Sequence, residues 1–190
     1  AIPATFGGAL RVNALNALAA AAAGWALGLP VGTIREALAG FAAGFDATPG
    51  RFNLLDVEGR RVAIDYAHNV AAMEAVGDFV RRLAPPRSVA MLAIPGDRSD
   101  EDSLALGRLA GRLFDAVVIR EAANTRGRPR GESADLQRRG VLDAALVRCL
   151  KQARGRPAGV PLEELQQAAR AACQRLFVPQ PAEVLRRLAQ

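Results

Sequence analysis

RFNLLDVEGRRVAIDYAHN, residues 51–69, is where the chain changes its hydrophobic period. Two runs of period two, RFNLLDV and RVAIDY, flank EGR, a pattern that predicts an antiparallel hairpin turning at a glycine. Downstream the spacing predicts a helix over about 71–83, a buried strand SVAMLAI at 88–94, a helix over about 101–114 and a strand DAVVIR at 115–120. Strands alternating with amphipathic helices imply parallel βαβ units with right-handed crossovers. The expected class is therefore α/β, a Rossmann-like three-layer sandwich with a mostly parallel sheet. Beyond about Glu132 the chain reads as helix almost to its end, interrupted by RGRPAGVP and VPQP, with no further strand evident.

Upstream, residues 13–28 carry an alanine-rich helical pattern that Pro30 closes. TIRE then supplies a capping box, Thr33 with Glu36, which predicts a helix opening there and running to about Phe41. FDATPG follows as a loop or boundary.

Composition narrows the function. Half of the 190 residues are apolar, enough for one domain with a proper core and a smaller helical lobe. The longest weakly polar run, ALNALAAAAAGWALGL, is too short and too alanine-rich for a bilayer span, so no membrane association is expected. Cys149 and Cys173 form no CxxC and His68 is the only histidine, so a zinc cage and a disulfide framework both lack material and no metal site is expected. With no basic n-region or cleavage segment after Ala1, a cytoplasmic piece of a longer chain is the expectation. The net charge of +6 is almost all arginine, Lys151 being the only lysine. Guanidinium forks suit phosphates and carboxylates, although arginines spread over solvated faces would give the same count.

In an open parallel sheet, ligands bind beyond the carboxyl ends of the strands. Three polar loops leave such ends: DYAHN, IPGDRSDED and REAANTRGRPRGE. Asp65 at a strand end can accept from ribose hydroxyls, and His68 and Asn69 can reach a base or phosphate, or simply cap and pack. In the second loop Gly96 suits close backbone approach, Arg98 an anion clamp, and Asp100 a cap of the next helix. In the third, Arg126, Arg128 and Arg130 suit bidentate capture of a carboxylate or phosphate. Arg-Gly-Arg-Pro at 126–129, repeated at 154–157, also resembles segments that enter the DNA minor groove; its place after a strand argues against nucleic acid as a partner.

FGGALRVNALNALAAAAAGWALG, TPGRFNLLD, DYAHN, PGDRSDED and TRGRPRGE, in this order over about residues 1–140, resemble the C-terminal part of the Mur ligase family, most closely its cyanophycin synthetase branch. Members join an amine to a carboxylate activated by ATP as an acyl phosphate. The resemblance implies three segments: 1–47, the end of an ATP-binding central domain; 48–140, the Rossmann-like C-terminal ligase domain; and 141–190, a helical tail whose relation to the family is open. It implies Asn16 near adenine, Arg51 as the catalytic residue on the terminal phosphates, and Asp65 on the ribose. His68 and Asn69 would line the nucleotide side, and Arg98, Arg126, Arg128 and Arg130 would face the incoming amino acid or polypeptide acceptor. The cofactors implied are ATP and Mg2+, the metal being held by the missing central domain.

Three departures qualify this. Val70 stands where the family's DYAHNP has proline, no GxxGKT/S phosphate loop is present, and the late PGD turn before an apolar strand is missing. The fragment alone is therefore expected to be inactive. Two rivals stay open, a basic DNA-binding module and a catalytically dead scaffold of the same fold. So does homo-oligomerisation.

Overall fold

The computed structural model describes residues 2–153, and the chain divides into two compact units. Of the described residues, one unit comprises those up to Ala67 together with Glu74–Pro85; the other comprises His68–Met73 with those from Pro86 onward.

In the first unit, helix α1 (Arg11–Ala26) ends where Gly28, at φ +81°, lets Gly28 N–H reach the Trp25 carbonyl at 2.9 Å and Leu29 N–H reach that of Gly24 at 3.0 Å. Helix α2 (Val31–Gly40) follows. The expected capping box does not form: α2 begins at Val31, with Thr33 already inside its first turn. Pro30, at φ −59°, is preset for a helix start and needs no side-chain cap. Helix α1 is apolar around its girth and leaves Leu15, Leu18 and Trp25 exposed.

Strands β1 (Asn53–Val57) and β2 (Arg60–Ile64) form the expected hairpin, antiparallel, with Val57 opposite Arg60 and Asn53 opposite Ile64. Glu58 and Gly59 turn it with positive φ at both positions. The unit's core is aromatic: Phe52 and Phe79 meet edge-to-face at 4.6 Å between centroids, with Phe6 at 6.0 and 5.5 Å from them. Leu10, Val76, Val80 and Leu83 complete it. Val76, Phe79, Val80 and Leu83 recur at helical spacing on and just past helix α3 (Val70–Arg82), which is why that helix packs here.

In the second unit, strands β3 (Val89–Leu92) and β4 (Ala116–Ile119) pair in parallel, Val89 opposite Ala116. Asp115 fixes the register by accepting from Ser88 N–H at 2.7 Å and Ser88 Oγ at 2.8 Å. Helices α4 (Asp100–Leu113) and α5 (Glu132–Ala153) pack closely because Gly107 and Gly111 face Gln137, Gly140, Val141 and Ala144. The cap of α4 is Ser99, whose Oγ accepts from Asp102 N–H at 3.0 Å, and not Asp100 as expected. A hydroxyl one residue earlier reaches the third amide of the helix, leaving Asp100 in the first turn.

The architecture is thus mixed α/β, with the described strands forming one antiparallel and one parallel pair. No described helix is long and apolar enough to cross a membrane.

Candidate functional site

The first cluster lies where the hairpin begins and ends. Continuing the register of β1 and β2 outward sets Phe52 against Asp65 and Arg51 against Tyr66. Phe52 N–H donates to Asp65 Oδ2 at 2.9 Å, and Tyr66 N–H donates to the Gly50 carbonyl at 3.0 Å. Asn53, 1% exposed, closes the turn before Arg51: its Oδ1 accepts from Gly50 N–H at 2.7 Å and its Nδ2 donates to the Thr48 carbonyl at 3.0 Å. Phe52 sits at φ +51°, a left-handed conformation costly for a bulky residue. Burial of its ring and the bond to Asp65 hold it there. Arg51, immediately before this constrained residue, is exposed, with its guanidinium 5.5 Å from the centroid of the Tyr66 ring.

Arg51 and Asp65 are therefore brought to one corner. Asp65 has one carboxylate oxygen bonded to the backbone and a second with no described partner. Asn16 is exposed on α1, and its amide donates to Asn13 Oδ1 at 3.1 Å; Asn13 in turn donates to the Ala4 carbonyl at 2.8 Å. Neither bond joins the Arg51 corner.

In the second unit, Asn69 caps α3: its Oδ1 accepts from Ala72 N–H at 2.8 Å and its carbonyl from Met73 N–H at 3.0 Å. An asparagine cap supplies the start that proline would otherwise preset at position 70. His68, half-buried, precedes it.

The loops following β3 and β4 are laced together by arginine. Arg128 donates to the carbonyls of Gly96 and Arg98, both at 2.8 Å, and to Asp100 at 2.7 Å and Glu132 at 3.0 Å. Its side chain is only 15% exposed. The bond to Asp100, chiefly, raises its pKa above the ordinary value. Gly96 is required at this crossing, because a Cβ there would collide with the Thr125 carbonyl. Arg126 pairs with Asp97 at 2.5 Å, which holds that carboxyl below its usual range, and Arg130 pairs with Glu121 at 3.5 Å. The Arg98 guanidinium has no hydrogen bond or ion pair among the described residues, although its backbone carbonyl anchors Arg128. Two acids of the loop after β3, Asp97 and Asp100, are thus partnered by arginines of the loop after β4. The first Arg-Gly-Arg-Pro segment is built into this lacing; the second, at 154–157, lies outside the described residues.

Sequence reasoning missed three residues that organise these sites: Tyr66 beneath Arg51, the buried Asn53, and Ser99. The hairpin register was the signal for the first. No group of three or more potential metal ligands occurs among the described residues.

Residues 50–185 match the family model described as Mur ligase, glutamate ligase domain. Cyanophycin synthetase of Nostoc sp. is 41% identical over 140 residues, covering 74% of this chain and 16% of the relative. That of Crocosphaera subtropica is 42% identical over 141 residues, with the same coverages. The UDP-N-acetylmuramoyl-L-alanyl-D-glutamate–2,6-diaminopimelate ligase of Geobacter metallireducens is 36% identical over 125 residues, 65% of this chain and 23% of the relative. The chain thus spans well under a quarter of each cyanophycin synthetase it matches. With more than half of its residues within the family model, the chain belongs to the Mur ligase family, through its glutamate ligase domain.

Proposed function

We propose that this chain is the C-terminal part of an ATP-dependent amide ligase of the cyanophycin synthetase type. It would be the nucleotide-closing and acceptor-facing portion, acting with N-terminal and central domains carried elsewhere in a longer protein. Residues 1–47 would be the end of the central domain, 48–140 a Rossmann-like ligase domain completed as a three-layer sandwich, and 141–190 an appended tail. The exposed apolar girth of α1 supports the first assignment, since a surface of that kind is ordinarily covered.

The observation that carries the reading is the Arg51–Asp65 corner. Among the described residues, Arg51 presents a guanidinium with no carboxylate partner and Asp65 keeps one oxygen unbonded. That pair suits a nucleotide: a cation for terminal phosphates and an acceptor for a ribose hydroxyl. ATP, when bound, supplies the phosphoryl group that activates a carboxylate as an acyl phosphate. Arg51 would neutralise phosphate charge and orient it, which is most of what a protein contributes to phosphoryl transfer. Asn16, His68 and Asn69 would border the nucleotide, Asn69 through its helix cap. Magnesium ligands would come from the central domain.

On the acceptor side, Arg98, Arg126 and Arg130 would face a carboxylate-bearing amino acid or polypeptide, with Arg128 holding the two loops in place. The relatives are named for cyanophycin synthesis and for ligation of 2,6-diaminopimelate to UDP-N-acetylmuramoyl-L-alanyl-D-glutamate; the proposed substrate is accordingly a cyanophycin-like acceptor, with peptidoglycan-precursor or folylpolyglutamate ligation as the alternatives.

The test is amide formation. The protein that contains this chain should join an amino acid to a carboxylate acceptor with stoichiometric ATP cleavage, and the 190-residue chain alone should not. Amide formation by the isolated chain, or by the whole protein without ATP cleavage, would overturn the reading.

A further inference from the structure

We propose that Tyr66 is a positioning residue: its ring is a shelf on which the Arg51 guanidinium is held ready for a polyphosphate. The inference rests on the reading of Arg51 as a phosphate ligand.

The four arginines already placed near the loops after β3 and β4 show the contrast. Arg126, Arg128 and Arg130 are each paired with a carboxylate, and a paired guanidinium must exchange that partner before it can bind an anion. The Arg98 guanidinium has no hydrogen bond, ion pair or aromatic support among the described residues. Arg51 differs in being supported with no carboxylate partner among the described residues: an aromatic face lies 5.5 Å from its Cζ, within the range where the ring quadrupole attracts a cation, and its guanidinium N–H groups have no hydrogen-bond acceptor among the described residues. An aromatic support removes rotamer freedom before the ligand arrives, so less is lost on binding.

The shelf is itself fixed. Tyr66 N–H is bonded to the Gly50 carbonyl and Phe52 N–H to Asp65, so both ends of the cation–ring contact are anchored across the same two segments. Phe52, anchored in the aromatic core at a left-handed φ, sets the direction in which the preceding residue leaves the chain. A tyrosine at 66 thus completes a device whose other parts are a constrained backbone and a buried asparagine.

The experiment follows the Arg51 Nε–Hε and side-chain proton signals of the 190-residue chain by NMR, in the parent and in Tyr66→Phe and Tyr66→Leu, during titration with inorganic tripolyphosphate. The expected result is an upfield ring-current displacement of the Arg51 signals in the parent and in Tyr66→Phe, lost in Tyr66→Leu. The tripolyphosphate dissociation constant read at those signals should rise about two- to fivefold in Tyr66→Leu and stay within twofold in Tyr66→Phe, the range expected of an exposed cation–π contact. No displacement in the parent, or an unchanged dissociation constant in Tyr66→Leu, overturns the shelf. Loss of the proposed ligase function shows separately, as a whole protein that forms no amide while Arg51 still binds tripolyphosphate on its ring.

Discussion

Replacing Asp65 separates its two roles. Its Oδ2 accepts the N–H of Phe52 at 2.9 Å, and Phe52 is 5% exposed and holds φ +51°. Asp65→Ala leaves that amide without its acceptor beside a buried ring, and a hydrogen bond to a charged group contributes about 1.5–3 kcal/mol. Asp65 is itself partly solvated, so the lower part of that range, about 2 kcal/mol, is the expected loss. Asp65→Asn keeps an oxygen at the same place and should lose under about 1 kcal/mol, the difference between a charged and a neutral acceptor. For a unit of this size, about 2 kcal/mol corresponds to a fall in melting temperature of roughly 8–16 °C. Thermal melting followed at Phe52 and Phe79 by aromatic NMR signals measures it. Nucleotide binding should fall in both variants, because neither presents a second carboxylate oxygen to a ribose hydroxyl. Equal melting temperatures for Asp65→Ala and the parent would refute the claim that Asp65 holds the Arg51 corner.

Other sites give sharper contrasts. Gly140→Ala places a methyl group against the Leu104 carbonyl, Arg108 N at 2.8 Å and Gly107 Cα at 3.0 Å, and should destabilise the α4–α5 pair by about 1–3 kcal/mol in urea unfolding. Arg128→Lys should lower the melting temperature because a single ammonium cannot reach two carbonyls and two carboxylates together, whereas Arg98→Ala should leave it unchanged. The bonds from Ser88 hold the Asp115 carboxyl below its ordinary 3.8, so its contribution is complete above that pH and disappears as pH falls through the depressed value. Asp115→Ala should accordingly be less stable than the parent at pH 6, with the gap closing as the pH is lowered below 3.8 in parallel urea titrations.

The sequence made the elements legible because each has a local cause. The hairpin follows from alternation around Gly59, and helices α3 and α4 and strands β3 and β4 fall within a few residues of their expected bounds. The misplaced caps were competitions between neighbours: Pro30 against Thr33, and Ser99 against Asp100, where several residues of the right chemistry stand side by side. Arg51 and Asp65 could be named from their motifs, but their meeting depends on the register across the turn, which also carries Tyr66 to Arg51. The arginine-rich loop was read as a clamp because its charge is visible in sequence; its partners Asp97 and Asp100 come from the loop after β3, joined to it only by tertiary structure, while Glu121 stands at its own start.

The central claim, that Arg51 serves ATP-dependent amide ligation, is tested most directly by Arg51→Ala in the whole protein, measuring ATP cleavage coupled to amide formation beside thermal melting. The turnover number should fall about 10²–10³-fold, as for loss of one donor to developing charge, with the melting temperature unchanged. Full turnover in that variant would contradict the account.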